Sequence, residues 1–489
     1  MTDDAAAADT FDVVVIGGGP PGEVAAQYAI QGSDRTAAIV ESELLGGECS
    51  FWACIPSKAM LRPIEMLDAA KAVPGAAGAV TGALDVPAVL GRRDDFTHRH
   101  DDTSQVEWAE GTGIAVVRGH GRLAGERAVE VTASDGSTRT LHARHAVVVA
   151  TGTSATVPDV PGLRAALPWT SRDVTNLHEV PRRVLVLGGG VVACEAITWL
   201  HGLGAEELTV VQRAPSLLAG LEPIAGELVE ARFRAAGVTV CTEAGLASVE
   251  RADARDTGTG RVHGGPVTAT LADGRVVEVD EVLVAAGRTP RAADLGLDRV
   301  GVAPNDHGYL DTDDHLSVIG GGGWLYAVGD ICGRALLTHM GKYQGRVAGD
   351  VIAARAEGRP TNGREHRDLA DAVAVPSVVF SQPQVASVGR TEAAARAAGI
   401  DVEVLEHDLA GVAGASLLRD DYAGRAKLVV DRATDTLVGA TFVGPEVAEL
   451  VHAATIAVVG RVPLDLLWHA VPSFPTLSEI WLRLLEERR

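Results

Sequence analysis

Two of the five cysteines in this 489-residue chain lie close together, at Cys49 and Cys54, within the segment GGECSFWACIPSK. Their spacing allows an internal disulfide if the helical turn between them is distorted, and it does not match the C-x₂-C half-site of a zinc centre. A structural disulfide or two buried thiols would also explain the pair, but structural disulfides are rare in cytosolic proteins. The pattern therefore favours a redox-active cysteine pair.

A nucleotide-binding βαβ unit comes directly before the cysteines. The strand Phe11–Ile16 has the continuous apolar character of a strand buried in a parallel sheet, and it runs into the glycine turn GGGPPG and a helix. Gly17 permits the tight bend, Gly19 lets the backbone approach a pyrophosphate, and Gly22 brings the helix close to the strand. The next strand ends at Glu41, whose carboxylate can accept hydrogen bonds from ribose hydroxyls.

The same pattern occurs a second time. A strand leads into GGGVVA, in which Gly188 and Gly190 hold the fingerprint positions, and the following strand ends at Gln212 and Arg213. At that place an acid would favour NAD, whereas a cation favours the 2′-phosphate of NADP. We therefore expect NADPH, with NADH as the alternative. Two dinucleotide folds in one chain imply two bound nucleotides and electron transfer between them.

Two further turns and one acid follow predicted strands. Thr151 and Gly152 belong to the first turn, Gly287 and Arg288 belong to the second, and Asp330 ends another strand. The Asp330 carboxylate can bind a ribityl hydroxyl of a flavin nucleotide, or it can cap a helix. Residues 370–489 change to short alternating strands and helices without a nucleotide motif, which indicates an assembly domain.

Composition excludes several classes of partner. The net charge of −22 argues against nucleic acid and anionic membranes, because both need basic patches. No apolar run approaches the roughly 20 residues that span a bilayer, and residues 1–10 lack the features of a signal peptide. We therefore expect a cytoplasmic protein. His98 and His100 do not share a helical face, so no metal site is expected there.

Taken together, these motifs resemble the class I pyridine nucleotide–disulfide oxidoreductases, a flavoprotein group that includes dihydrolipoamide dehydrogenase, glutathione reductase and mercuric reductase. In chain order the resemblance is carried by the fingerprint at Gly17–Gly22, the cysteine segment, A-T-G at Ala150–Gly152, the second fingerprint at Gly188–Ala193, A-x-G-R-x-P around Arg288, A-V-G-D ending at Asp330 and P-T-L-S-E at Pro475–Glu479. It implies an α/β fold with two Rossmann-like domains, which bind FAD and NAD(P), and a C-terminal α+β dimerisation domain. The implied bounds are 1–160 with 285–360 for FAD, 161–284 for NAD(P) and 365–489 for dimerisation.

The resemblance also implies residue roles. Cys54 would lie against the flavin, with its thiol pKa lowered by a nearby helix N-terminus, and Cys49 would be the thiol that meets the acceptor. Lys58 and Glu195 resemble the ion pair beside flavin N5, while Gly47 and Lys58 are expected at the FAD site. Hydride would pass from the nicotinamide through the flavin to the disulfide. The C-terminal region would form an obligate homodimer, with each active site built from both subunits.

The sequence departs from the family at its proton carrier. Dithiol reductases carry a histidine directly before P-T-x-x-E, supplied by the partner subunit and oriented by the glutamate, and this histidine moves the thiol proton. Here Phe474 holds the position, and Glu479 is present without an imidazole. His469 is a possible substitute, although a histidine in an apolar run is more often a packed side chain. Mercuric reductase has a C-terminal cysteine pair, whereas this chain has no cysteine after Cys332.

Three more side chains bear on the acceptor. Val191 stands where many relatives place a tyrosine over the nicotinamide pocket, and Phe51 with Trp52 would crowd the disulfide with aromatic surface. We therefore expect an FAD-dependent NAD(P)H oxidoreductase that reduces a small molecule, such as a quinone or an unidentified disulfide. One alternative is a dihydrolipoamide dehydrogenase in which His469 or water replaces the missing base. The other is a non-catalytic flavin-binding dimer, which would not need Cys49 and Cys54.

Overall fold

The computed structural model describes residues 9–488, so most of the N-terminal segment that entered the localisation prediction lies outside the described residues. In chain order the strands are β1 Thr10–Ile16, β2 Ala37–Glu41, β3 Ile114–Arg118, β4 His120–Gly125, β5 Ala128–Thr132, β6 Thr138–Val149, β7 Thr153–Ala155, β8 Arg183–Leu187, β9 Glu207–Val211, β10 Thr239–Cys241, β11 Leu246–Arg251, β12 Val267–Leu271, β13 Val276–Val279, β14 Glu281–Val284, β15 Arg288–Pro290, β16 Leu325–Ala327, β17 Pro376–Val379, β18 Gln384–Gly389, β19 Val402–Asp408, β20 Arg425–Asp431 and β21 Thr436–Gly444. The α-helices are α1 Pro20–Ile30, α2 Gly47–Phe51, α3 Cys54–Lys71, α4 Val86–Phe96, α5 Thr103–Gly111, α6 Ser171–Thr175, α7 Val191–Gly202, α8 Pro223–Ala235, α9 Thr338–Ala356, α10 Ala370–Val373, α11 Glu392–Ala397, α12 Ala413–Leu418, α13 Leu450–Val459, α14 Leu464–Leu467 and α15 Glu479–Glu486.

Contacts divide the chain into two compact units. The first contains the residues up to Ile55, Thr97–Ser154 and Arg288–Ala372, and the second contains Pro56–Phe96, Ala155–Gly287 and the residues from Val373 onward. The sequence predicts three domains with other bounds, and that division stays a prediction. Residues 56–96, which it places with the FAD-binding residues, pack in the second unit.

The first unit is built on a sheet in the order β3-β2-β1-β6-β5-β4, with β16 paired to β6. Strand β1 is parallel to β2 and β6, and its residues Val13–Val15 are fully buried, as the continuous apolar run predicts. The register aligns Ile16 of β1 with Val149 of β6, and Val149 with Ala327 of β16. Because these strands are parallel, the turns after them meet at one edge of the sheet. That edge is where open α/β sheets bind ligands.

The second unit contains a four-stranded parallel sheet, an antiparallel meander and a five-stranded antiparallel sheet. Their strand orders are β10-β9-β8-β14, β11-β12-β13 and β17-β18-β21-β20-β19. The ends of β8, β9 and β14 are in register at Leu187, Val211 and Val284, so the loops after these strands share one edge. The last sheet belongs to residues 370–489, the part that the sequence predicts to serve assembly.

The charged residues 85–110 do not form one continuous helix. The structure has α4 and α5 instead, separated by His98, Arg99 and His100 with φ angles of 47°, 54° and 60°. Three successive residues in the left-handed region cannot continue a right-handed helix. Between residues 9 and 488, no helix combines the length and the apolar character that crossing a bilayer requires.

Candidate functional site

The first glycine fingerprint lies between β1 and α1 in the first unit. Gly17 has a φ of +104°, and a Cβ there would lie 2.4 Å from the Ala150 carbonyl oxygen. A Cβ on Gly22 would lie 2.1 Å from the Gly17 oxygen, so this contact between turn and helix requires glycine. At Gly19, which precedes α1, the nearest atom to a Cβ is 3.9 Å away. The helix N-terminus is therefore open on the side of Gly19, as binding of a phosphate group requires.

Glu41 holds this loop in place from the end of β2. Its Oε2 accepts a hydrogen bond from the Gly18 N–H at 2.7 Å, and its Oε1 accepts one from the Glu43 N–H at 2.7 Å. The loop in turn fixes the start of the cysteine segment, because the Gly46 N–H donates to the Gly18 oxygen at 2.7 Å. A Cβ on Gly47 would lie 2.9 Å from the Gly19 Cα. The fingerprint and the cysteine segment are thus in direct backbone contact.

Arg288 and Asp330 meet through a residue that the sequence did not single out, Thr153. Arg288 Nε donates to Thr153 Oγ1 at 2.6 Å, and Thr153 Oγ1 donates to Asp330 Oδ2 at 2.7 Å. Burial raises the pKa of Asp330, while the hydrogen bond from Thr153 and the charge of Arg288 oppose that rise. Thr151 and Gly152 join the same turn to Arg291, through a Thr151 hydroxyl donating at 3.0 Å and a Gly152 oxygen accepting at 3.0 Å.

The cysteines lie on two consecutive helices. Cys49 lies inside the short helix α2, which ends at Phe51. Cys54 is the first residue of the long helix α3. The Cys54 Sγ lies 3.3 Å from the hydroxyl of Thr338, the first residue of the 19-residue helix α9. Helix N-termini stabilise thiolates, because their free N–H groups and the helix dipole favour negative charge. All five cysteines are thiols in this structure.

The surroundings of Cys49 disfavour loss of its thiol proton. The pKa of Cys49 is raised well above that of an ordinary thiol, first by its hydrogen bond with Cys54, then by burial and by the charge on Cys54. Thr338 and Lys342 oppose the rise. The hydrogen bond with Cys54 and burial therefore favour the protonated form of Cys49.

The aromatic residues between the cysteines do not both face solvent. Phe51 is fully buried, so the expectation that it crowds the disulfide with aromatic surface is wrong. Its position at the end of α2 directs the side chain into the unit, where its ring lies 6.1 Å from that of His100. Trp52 is half-buried and stacks on His100, with ring centroids 4.2 Å apart and an angle of 27°. Trp52 alone of the two contributes accessible aromatic surface.

The second glycine fingerprint lies between β8 and α7 in the second unit. Gly188 has a φ of +112°, and a Cβ there would lie 2.3 Å from the Ala285 oxygen. A Cβ on Gly190 would have no neighbour within 4 Å, so the N-terminus of α7 is open. Val191, the first residue of that helix, is 40% exposed. Gly287, after β14, adopts a φ of +131° that favours glycine.

The residues that the sequence predicts to discriminate between coenzymes lie after β9. The Gln212 side chain bends back, and its Oε1 accepts a hydrogen bond from the Arg213 N–H at 3.0 Å. Arg213 is exposed, and it forms no ion pair within the part of the chain that the structure describes. Its guanidinium group is therefore available to an anion.

Lys58 and Glu195 form an ion pair within the second unit. The Lys58 Nζ lies 2.7 Å from Glu195 Oε2 and 3.0 Å from Oε1. The Glu195 side chain is 6% exposed, whereas that of Lys58 is 36% exposed. Sequence reasoning missed the third member, Phe380, whose backbone N–H donates to Glu195 Oε1 at 3.0 Å. The pair is therefore anchored in the protein at its acidic end and reaches solvent at its basic end.

Comparison with known proteins identifies the family. Residues 11–355 match the profile of the pyridine nucleotide-disulphide oxidoreductases, and residues 375–484 match the dimerisation domain of the same group. The chain belongs to this family. It is 33% identical over 476 residues to the dihydrolipoyl dehydrogenase of Chlorobaculum tepidum, across 96% of this chain and 95% of the relative. It is 31% identical over 473 residues to the mercuric reductase of Streptomyces lividans, across 94% and 93%.

A solved structure supports the same fold. The Cu(II) complex of the HOCl-induced flavoprotein disulfide reductase RclA from Escherichia coli superposes with a TM-score of 0.83 at 22% identity, across 98% of this chain and 100% of that chain. The comparisons confirm the predicted family, the mixed α/β fold and an FAD-dependent oxidoreductase with a redox-active disulfide. The dimerisation domain supports a homodimer.

The residues of the first unit fit the flavin nucleotide of this family. The open N-terminus of α1 beside Gly19 suits a pyrophosphate, and the 27% exposed Asp330 side chain can accept a hydrogen bond from a hydroxyl group. Cys54 and Thr338 present a thiolate site within the same unit. These residues can therefore hold FAD, while the role of each one stays a prediction.

The departure from the dithiol reductases of the family lies in the C-terminal residues of the second unit. Phe474 is 76% exposed, and Glu479 is 5% exposed at the start of α15. The Oε2 atom of Glu479 has no hydrogen-bond partner within the described residues. His469 is exposed rather than packed, because it follows the short helix α14 on the surface. The chain thus has the glutamate of the family's P-T-x-x-E pattern, but the position directly before Pro475 carries no ionisable group.

Proposed function

We propose that this family member is an NADPH-dependent oxidoreductase whose acceptor is a flat or bulky molecule, such as a quinone, in preference to a flexible dithiol substrate. The single observation that carries the proposal is the exposed, non-ionisable Phe474 side chain, five residues before the buried Glu479, whose Oε2 has no hydrogen-bond partner within the described residues. A dithiol substrate must exchange protons with the enzyme as its sulfur atoms react, and a phenyl ring cannot carry a proton. A quinone needs no thiol–disulfide exchange.

Each of the site residues has a separate role in the proposed reaction. FAD, when bound, supplies the two-electron chemistry that links NADPH oxidation to reduction of the acceptor. Cys49 and Cys54 hold one electron pair as a dithiol, which forms from the disulfide with two electrons and two protons. The raised pKa of Cys49 keeps a proton on the outer thiol, and Thr338 with the α9 N-terminus stabilises a thiolate on Cys54. Lys58, held by Glu195, keeps a positive charge in a fixed place.

Anaerobic reduction of the purified holoenzyme tests this function. We expect NADPH to bleach the flavin absorption faster than NADH does, and to produce a long-wavelength absorption band from the Cys54 thiolate after two electrons. In steady state, quinones should then turn over faster than lipoamide. Faster turnover of lipoamide than of every quinone tested would contradict the proposal.

Arg213 should decide the coenzyme. We expect Arg213→Ala to lower kcat/KM for NADPH by about 10- to 100-fold, the scale of a lost charged hydrogen bond, and to change that for NADH less than about twofold. Arg182→Ala is the matched control, because Arg182 is an exposed arginine of the same unit whose ion pair with Glu206 contributes little. Equal losses with both coenzymes would count against a 2′-phosphate site.

The runner-up function is a dihydrolipoamide dehydrogenase in which His469 or water moves the thiol proton. Exposure of His469 and the dihydrolipoyl dehydrogenase relatives favour it. Mercuric ion as substrate is disfavoured, because the chain has no cysteine beyond Cys332. We further propose the homodimer as the active form, since Val471 and Phe474 expose 83% and 76% of their apolar side chains and the dimerisation domain contains both. A cytoplasmic location stays a prediction.

A further inference from the structure

The Phe380 side chain contacts the Lys58–Glu195 pair in a second way, through its ring. The Lys58 Nζ lies 4.6 Å from the centroid of the Phe380 ring. The backbone N–H of the same residue donates to Glu195 Oε1 at 3.0 Å. Phe380, which directly follows β17, therefore holds the acid with its main chain and the base with its side chain.

The geometry is that of a cation–π interaction. An ammonium group within about 6 Å of an aromatic ring centroid is attracted by the ring, and the attraction grows as the cation loses contact with water. The two shortest hydrogen bonds of Lys58 go to Glu195, and a longer one reaches Ser57 Oγ at 3.3 Å. The ring adds a contact that is not a hydrogen bond. A flexible lysine side chain is thus restrained to one position although it is 36% exposed.

We propose that Phe380 is a positioning residue, whose ring fixes the Lys58 ammonium in the place from which it acts on the flavin reaction. This inference rests on the proposed function and on the family resemblance, which implies that Lys58 and Glu195 act in flavin reduction. Glu195 holds the ammonium through both carboxylate oxygens, and the ring adds an aromatic contact to these two. The Glu195 carboxylate, the Lys58 ammonium and the Phe380 ring therefore form one arrangement of three groups.

A packing role for Phe380 has different consequences. The residue is half-buried and packs against the core of the second unit. Leucine at this position retains an apolar side chain and the backbone hydrogen bond to Glu195, but it removes the ring. Tyrosine retains the ring and adds one hydroxyl group. If the ring acts on Lys58, Phe380→Tyr keeps the effect and Phe380→Leu loses it, and the loss disappears once Lys58 is neutral.

The test compares five holoenzymes by stopped flow and by flavin redox titration: wild type, Phe380→Leu, Phe380→Tyr, Lys58→Met, and Phe380→Leu in the Lys58→Met background. We expect Phe380→Leu to slow flavin reduction by NADPH about 3- to 10-fold and to shift the flavin midpoint potential, with Phe380→Tyr within about twofold of wild type. In the Lys58→Met background, Phe380→Leu should change neither quantity. Equal effects of Phe380→Leu in both backgrounds, or none in either, would overturn the proposal.

Thermal unfolding gives a readout that does not depend on turnover. Phe380→Leu should lower Tm more in the Lys58 protein than in the Lys58→Met protein, because only the former has an ammonium to lose contact with the ring. Identical Tm losses would reject the coupling between the two side chains. If neither NADPH nor NADH reduces the wild-type flavin, the proposed function fails, and the unfolding cycle still decides whether Phe380 holds Lys58.

Discussion

Replacing Cys54 with serine should abolish the reduction of disulfide acceptors while leaving that of quinones largely intact. We expect a loss on the order of 10³-fold or more in kcat for a disulfide, the scale on which removal of an essential nucleophile acts. The reason is that Cys54 is the thiol that the structure favours as thiolate, since Cys49 has the raised pKa and Thr338 lies 3.3 Å from Cys54. Quinone reduction that bypasses the cysteines should change less than about threefold, because no sulfur–sulfur bond is made or broken.

Cys49→Ser is the matched variant. It should lose disulfide reduction to a similar degree, because serine cannot form the internal disulfide, but it retains the Cys54 thiolate. The thiolate absorption band should therefore be present in Cys49→Ser and absent in Cys54→Ser. Steady-state rates with one disulfide and one quinone, measured for both variants, separate the two electron routes. A Cys54→Ser enzyme that reduced disulfides at the wild-type rate would show that the pair lies outside the electron path.

The features of this fold that the sequence predicted are those that local sequence patterns encode. Glycines such as Gly17 and Gly188 follow buried strands, and the structure places both at strand ends with left-handed backbone angles. Buried parallel strands give continuous apolar runs, so the sheet edge that receives the nucleotide turns followed from the sequence. Lys58 and Glu195 form the ion pair that the family resemblance implies, a contact that spacing alone cannot supply, while their place beside the flavin stays a prediction.

The partners that tune the chemistry come from distant parts of the chain. Thr338 is 284 positions from Cys54, and Phe380 is 185 positions from Glu195. Neither residue belongs to a motif or breaks a periodic pattern, so no local signal marks it. Thr153 had a weak signal, since it directly follows the A-T-G turn. The burial of Phe51 was mispredicted because the break between α2 and α3, which turns its side chain inward, depends on packing and not on residue type.

Restoring a histidine at position 474, where dithiol reductases of the family carry one, should produce a gain of function. We expect Phe474→His to accelerate dihydrolipoamide oxidation by about 10²-fold or more, because a positioned general acid–base contributes ~10²- to 10⁴-fold. The family resemblance implies that Glu479 would orient this imidazole, and its buried Oε2 has no hydrogen-bond partner in the described residues. Phe474→Leu is the control, because it changes the size of the side chain without adding an ionisable group.

The pH dependence gives this gain a distinct signature. In the direction of dithiol oxidation the imidazole must accept a proton, so it acts in its neutral form. The rate of Phe474→His should therefore rise with pH through about 6.5, the ordinary pKa of histidine, whereas Phe474→Leu should lack this step. Adding Glu479→Gln to Phe474→His should remove most of the gain, because an imidazole without its carboxylate partner is poorly oriented. If Phe474→His binds FAD and dimerises but is no faster than Phe474→Leu, the missing proton carrier is not what separates this enzyme from the dithiol reductases, and the preference for flat acceptors needs another cause.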